Sequence, residues 1–405
     1  MLAHSPPLPL VIDYRDKDHD FTVEDEEGIV LALQCRDRVR RVRLFMSFPN
    51  MQKPIMAMDE EYPILEHLIM GHTTENTEQP YPTVYVLPEL RAPNLRHLLL
   101  ADFSIPIRSR LLMTAVGLVT LCLFMDISIQ PNTLLQWVSF MPQLENLVIA
   151  SSSPVPNRVV ERQLDITPIT QVTLPNLRWF SYQGVSASLE ALVGAVIAPS
   201  LQQLRVDFFN QLTFPIPRLQ QFINTTENLR FDIAGLKFAD ERVDVALYPR
   251  GAMTYAFGIN VHCSHLDWQV SSMAQILNAL RQVISEVEYL ILEYESHTSS
   301  HEGHNEVDHT EWRELLKSFS HAKTLRIDDG IAKELKELLS CLQWDPLELL
   351  PELQELEYSG SGDLGYALTP FLDVRRNTGR PVILIDSKSN PFGSSMPSSY
   401  RSATI

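Results

Sequence analysis

The sequence predicts an α/β repeat fold, with a curved parallel sheet on the concave face and helices on the convex face. Three observations predict it. A nine-residue phrase recurs, as "APNLRHLLL" at 92–100, "MPQLENLVI" at 141–149, "LPNLRWFSY" at 174–182, "APSLQQLRV" at 198–206 and "LPELQELEY" at 350–358. Apolar stripes at helical spacing fill the stretches between phrases. A proline stands two residues ahead of the first apolar anchor in many phrases.

Aligned on that anchor, the phrases read Val39-x-x-Val42-x-Leu44, Leu65-x-x-Leu68-x-Met70, Leu95-x-x-Leu98-x-Leu100, Leu118-x-x-Leu121-x-Leu123, Leu144-x-x-Leu147-x-Ile149, Leu177-x-x-Phe180-x-Tyr182 and Leu201-x-x-Leu204-x-Val206. Val287-x-x-Leu290-x-Leu292, Ala322-x-x-Leu325-x-Ile327 and Leu353-x-x-Leu356-x-Tyr358 follow. The first seven anchors stand 23 to 33 residues apart, the spacing of an irregular leucine-rich repeat. The fourth and sixth positions alternate inward on a short strand, and their neighbours face out. Pro63, Pro93, Pro142, Pro175, Pro199 and Pro351 disfavour helix in the residue ahead and so end one element before the next strand. "PLVIDY" and "RPVILID" are the expected first and last rungs.

Helices are expected between the strands. "SLEALVGAVI" places Leu189, Leu192, Val193, Val196 and Ile197 on one stripe. "SSMAQILNALRQVI" does so with Met273, Ile276, Leu277, Leu280 and Ile284, with Ser272 and Gln275 as its capping box. "DHTEWRELLKSF" and "KELKELLSCL" repeat the pattern, the first through Trp312, Leu315, Leu316 and Phe319. "LLMTAVGLVTLCLFM", at 111–125, is too short to cross a bilayer and reads as a helix running into a buried strand. One strand–helix unit cannot bury its apolar face alone, so neighbours must stack.

The repeat array spans 1–386, with an irregular insert at about 230–286 and a disordered tail at 387–405. In the insert, alternating Met253, Tyr255, Phe257, Ile259 and Val261 follow a turn at Pro249 to Gly251, which fits a β-hairpin or an extended repeat. The polar "SHTSSHEGHNEVDH" reads as a loop.

Composition narrows the function. A net charge of −17 over 405 residues argues against nucleic acid and against an anionic membrane as partners. Four scattered cysteines without a C-x-x-C pair suggest neither zinc nor disulfides and fit a reducing compartment, the cytosol or nucleus. The proline-broken N-terminus has no signal-peptide pattern. His262, Cys263 and His265 could be metal ligands, but neighbours on a strand point to both faces, and a strand edge is the better reading. His297, His301, His304 and His309 read as a solvated loop. No nucleophile, P-loop or zinc-protease motif occurs, so no catalytic, cofactor-binding or metal residue is assigned.

The segments "SPPLPLVIDY", "DRVRRVRLFM", "YPILEHLIM", "HLDWQVSSMAQILNALRQV", "WRELLKSF" and "LLPELQEL" resemble the repeat part of F-box-type proteins from mushroom-forming fungi, over about residues 5 to 386. In that family an F-box ahead of the repeats docks on a cullin-type ubiquitin ligase, and the repeats recruit a substrate. Here the chain opens on "SPPLPLVIDY" without the Leu-Pro-led helical segment of an F-box. The resemblance therefore implies the substrate-recruiting half of such an adaptor, with the cullin adaptor as a partner only if an upstream F-box exists. The alternatives are a stand-alone decoy or scaffold and an enzyme with an unrecognised site.

The expected partner is a protein lying along the concave sheet. Its contacts are Arg41, Arg43, Ile69, His97, Leu99, Phe124, Val148, Trp179, Arg205, Tyr289, Glu293, Arg326, Glu355 and Glu357. The column starts basic, turns apolar from Ile69 to Trp179 and ends acidic, so the partner's apolar part would cover Leu99, Phe124, Val148 and Trp179.

Overall fold

A computed structural model describes residues 8–16, 21–72, 85–86, 89–106, 108–125, 129–151, 171–209, 211, 213–295, 309–328, 349–359 and 363–386. Two compact units emerge, Met1–Gly184 with Ala191–Leu201, and Val185–Glu190 with Gln202–Ile405. Within each, short strands line up side by side and helices alternate with them along the chain, which is a leucine-rich-repeat fold of the α/β class.

Unit one holds β1 (Leu10–Arg15), α1 (Val23–Gln34), β2 (Val39–Met46), α2 (Phe48–Met56), β3 (His67–His72), β4 (Tyr85–Val86), β5 (His97–Ala101), β6 (Phe103–Ser104), α3 (Arg110–Thr114), β7 (Thr120–Met125), α4 (Pro131–Val138), β8 (Asn146–Ser151), β9 (Val172–Thr173) and β10 (Trp179–Gly184). Its sheet runs β1-β2-β3-β5-β7-β8-β10, every pair parallel. The helix α5 (Ser186–Val193) crosses the division between units, and β11 (Val196–Ile197) pairs with β9.

The repeat phrase builds the same local structure each time. Its anchor closes a turn onto the residue three before it, as Leu65 N to Tyr62 O at 3.3 Å, Leu95 N to Ala92 O at 3.1 Å, Leu144 N to Met141 O at 3.1 Å and Leu353 N to Leu350 O at 3.0 Å. The proline is the second residue of that turn, where its fixed φ is already correct. It therefore does more than end the preceding element. In many repeats the carbonyl after the anchor then takes two N–H groups from the next repeat, Glu66 from Arg96 and His97, and Glu145 from Arg178 and Trp179. Asn94 and Asn176 add side-chain donors to the carbonyls of Pro63 and Pro142, at 2.6 and 3.0 Å.

Of the aligned anchor, fourth and sixth positions, all are buried except Tyr358, which is half-buried. They meet the helices on the inner side, as where Leu147 and Phe180 face Leu134, Leu135 and Val138 of α4. Burial of this kind, roughly 25 cal/mol per Å² of apolar surface, is the main stabilising contribution.

Unit two holds β12 (Gln203–Phe209), α6 (Pro217–Thr225), β13 (Ile233–Ala239), β14 (Arg242–Tyr248), β15 (Phe257–His262), α7 (Leu266–Ala279), β16 (Tyr289–Glu295), α8 (His309–Lys317), β17 (Thr324–Asp328), β18 (Glu355–Ser359), α9 (Asp363–Asn377) and β19 (Ile383–Asp386). The order is β12-β15-β14-β13-β16-β17-β18-β19, parallel except for the antiparallel pairs of β14 with β13 and with β15. The hairpin over 242–262 is present. The sequence did not show β13, which is a repeat in disguise. Leu229 N closes the usual turn on Thr226 O at 3.0 Å, but the shared carbonyl is Asp232 rather than Arg230, two residues late. From β13 the chain steps back through β14 and β15 before α7 carries it to β16.

Two helix boundaries differ from expectation. α7 starts at Leu266 with His265 as N-cap, so Ser272 lies inside it, buried, and caps nothing. Buried Gln269 anchors the earlier start, its Nε2 donating to Ala239 O at 2.7 Å and Cys263 O at 2.9 Å. α5 stops at Val193; exposed Gly194 follows, and Val196 and Ile197 form a strand. The expected helix "KELKELLSCL", the loop residues 296–308 and the 387–405 tail lie outside the described residues.

Candidate functional site

The outward strand positions form cross-strand rows, because successive strands pair with no offset. In unit one the first row is Arg41, His67, His97, Thr120, Asn146 and Trp179. The rings of His67 and His97 stack at 4.5 Å, 8° from parallel. Burial holds both imidazoles below their ordinary pKa; the neighbouring imidazole and Arg41 add to this at His67, and Arg96 and Arg41 at His97. His97 Nδ1 lies 3.1 Å from Thr120 Oγ1, and that hydroxyl oxygen accepts from Asn146 Nδ2 at 3.4 Å.

The second row is Arg43, Ile69, Leu99, Cys122, Val148 and Ser181. Its middle four are apolar, on four adjacent strands. Cys122 is buried among them, which pushes its thiol pKa up to about 11 and removes it as a nucleophile. In the third row Phe45 lies over Gly71, where a Cβ would come within 2.9 Å of the ring, and Phe124 stands between Ala101 and Ala150. Aromatic rings thus alternate with small residues. Arg15 and Arg43 place their guanidinium carbons 5.3 and 5.7 Å from the Phe45 ring centre.

The expected contacts separate accordingly. Ile69, Leu99 and Val148 share a row, Phe124 sits beside Cys122 one row along, and Trp179 ends the polar first row. Arg41 is exposed, whereas Arg43 is engaged with Phe45 and stands 3.9 Å from Asp13.

In unit two Tyr289, Arg326 and Glu357 converge. Tyr289 Oη donates to Glu357 Oε2 at 2.7 Å, and burial with this carboxylate raises the phenol pKa, against the influence of Arg326. Glu355 accepts from Thr324 Oγ1 at 3.4 Å. Burial raises the Glu293 carboxyl pKa in spite of Arg326. Arg205 reaches its strand neighbour Asp207 at 3.1 Å. The late repeats are therefore less purely acidic than a list of outward residues suggests.

Sequence reasoning missed the outward residues of the hairpin, Lys237, Arg242, Asp244 and Asn260. Asn260, Asp244 and Lys237 fill the row from Asp207 to Glu293 across five strands, and Arg242 stands one row along. The alternation of β14 and β15 was a signal that could have placed three of them. At the other end of these strands an open depression of about 470 Å³ is lined by Arg230, Asp232, Arg250, Glu288, Lys323 and Glu352 among others; Lys323 pairs with Glu288 at 2.5 Å.

Among the described residues no group of three or more His, Cys, Asp or Glu side chains could hold a metal ion. His262 and His265 are exposed, and burial raises the Cys263 thiol pKa to about 12. No helix among the described residues is long and apolar enough to cross a membrane.

No protein-family model and no curated protein matches the chain. Among solved structures it is similar to the leucine-rich repeat-containing protein LegL7 from Legionella pneumophila, at 14% identity and a TM-score of 0.25, over 72% of this chain and 90% of that one.

Proposed function

We propose that the chain is a non-catalytic protein-recognition module that holds its partner on the outward sheet face. Residues 1–386 form the recognising part and the 387–405 tail lies outside it. The observation that carries this is the apolar row Ile69, Leu99, Cys122 and Val148 on the solvent side of four adjacent strands, with Phe124 and Trp179 beside it. A contiguous apolar strip with aromatic anchors and a polar rim has the composition of a protein interface. The resemblance of the repeats to fungal F-box-type proteins supports a finer reading: the substrate-recruiting half of a ubiquitin-ligase adaptor, acting in the cytosol or nucleus.

The test is affinity capture from the cells that make the protein, followed by binding measurements on the captured partner. Trp179→Ala and Phe124→Ala are each expected to weaken binding by about 2 kcal/mol or more. Glu355→Lys should mainly change the association rate and its salt dependence. Retained affinity in both aromatic variants would contradict the assignment. Co-elution of the native protein with a cullin adaptor tests the ligase reading separately.

A further inference from the structure

We propose that unit one anchors a carboxylate of an acidic protein segment at Arg41 and the stacked His67 and His97 rings, with apolar residues of the same segment over Ile69 and Leu99. The proposal deepens the recognition reading and rests on it for the partner being a protein on this face.

Arg41 is exposed on the outward side of β2, between Val11, which is 62% exposed, and half-buried His67. Neither the Arg41 guanidinium nor the His67 ring forms an ion pair or hydrogen bond with a described residue. The carboxylates at hand are engaged elsewhere: Glu66 meets Arg40 at 3.0 Å, and Asp13 stands 3.9 Å from Arg43. The outward residues of β1 and β2 thus hold the guanidinium groups of Arg15, Arg41 and Arg43 against the single carboxylate of Asp13. A local excess of cations in a chain of net charge −17 is selective, because the rest of the molecule repels an acidic segment.

The geometry suits a carboxylate with an apolar neighbour. Arg41, His67 and His97 stand on adjacent strands, so the row spans roughly 10 Å between its end Cα atoms. Ile69 and Leu99 are the next outward residues along the same strands, roughly 7 Å further on, which is the distance between residues two apart in an extended segment. Arg41 acts on both imidazoles, which places the three groups within electrostatic reach of one another. Burial, Arg41, and Arg40 at His67 or Arg96 at His97 hold the imidazoles neutral near pH 7, with Glu66 opposing at both. A second carboxylate brought to the pair favours imidazolium, so binding draws in a proton. Affinity for an acidic segment therefore rises as pH falls from about 7.5 to about 6, where a glutamate side chain is still ionised.

The test is fluorescence anisotropy on the full chain with a labelled peptide of alternating glutamate and leucine, beside its glutamine–leucine and phosphoserine–leucine counterparts. The glutamate peptide is expected to bind more tightly than the glutamine peptide and to tighten on acidification. Arg41→Gln should weaken it at least fivefold, and Arg218→Gln, which removes one positive charge from α6, less than twofold. Replacing both His67 and His97 by Gln should abolish the tightening at lower pH. Should that double variant fail to fold, as judged by its circular-dichroism melt, the imidazole titrations followed by NMR carry this arm. Both pKa values are expected to rise when the glutamate peptide is added, and unchanged titrations would overturn the proposal. So would equal affinity for the glutamate and glutamine peptides, equal weakening by Arg41→Gln and Arg218→Gln, or binding of the phosphoserine peptide alone. The peptide assay does not involve Trp179, so it can fail while the aromatic face still holds the native partner, and the reverse.

Discussion

A carboxylate shut inside a sheet face costs stability unless donors meet it, and Asp244 is in that position. Burial raises its pKa, with Asp207 adding to the rise and Arg242, Arg205 and Lys237 opposing it. The folded state thus keeps this proton to a higher pH than the unfolded chain does. Stability from this group is present below the ordinary carboxylate range and is lost as pH rises through the raised folded pKa, after which the cost is constant. Asp244→Asn should therefore gain about 1 kcal/mol at pH 7, and less near pH 4, in urea-denaturation midpoints. A loss at pH 7 would mean the carboxylate is well paired. Tyr62 is the opposite case. Its buried hydroxyl lies 2.9 Å from Leu33 O and 3.2 Å from Ala57 O, and Tyr62→Phe should cost about 1–2 kcal/mol in the same assay. The two residues also differ from the strand leucines in legibility. A leucine at the fourth position declares its burial by period alone. Leu33 reaches Tyr62, and Asp207 and Arg205 come near Asp244, from distant segments, and no local pattern encodes these neighbours.

At the scale of the element, the repeat phrase was legible because one short stretch specifies turn, strand and register together. The cryptic repeat at β13 was not, since Phe231 and Asp232 lengthen its phrase by two residues and move every later position out of alignment. The one helix start read from a capping box, Ser272 with Gln275, failed at α7, whose start is fixed by the buried contacts of Gln269. Where repeats meet, packing is close enough for one methyl to matter. Gly71→Ala puts a Cβ 2.9 Å from the Phe45 ring and 3.2 Å from Ala101 Cβ. The ring must move away from Arg15 and Arg43, at a cost of about 1 kcal/mol seen in thermal denaturation. An unchanged midpoint would show that Phe45 does not lie over Gly71.

For the molecule as a whole, repeat architecture limits how far damage travels. Leu147 is 2% exposed and Leu204 is fully buried, and truncating either to alanine should cost about 2–5 kcal/mol. In Leu147→Ala, hydrogen exchange should accelerate most in β7 and β10, the flanking strands, and fall off with distance along unit one. The outward face was legible as a column of residues and not as a surface. Strand alternation gives the side each residue faces, whereas pairing of Tyr289 with Glu357, or of Arg205 with Asp207, depends on which strands adjoin. The central claim is that this face, and not the helix side, meets the partner. Photo-crosslinking in the cells that make the protein tests it most directly, with a benzophenone amino acid replacing Leu99 in one variant and exposed Gln136 of α4 in another. The account predicts a discrete crosslinked partner from position 99, lost when Trp179→Ala is added, and none from position 136. The same partner captured from position 136 and not from position 99 would contradict it.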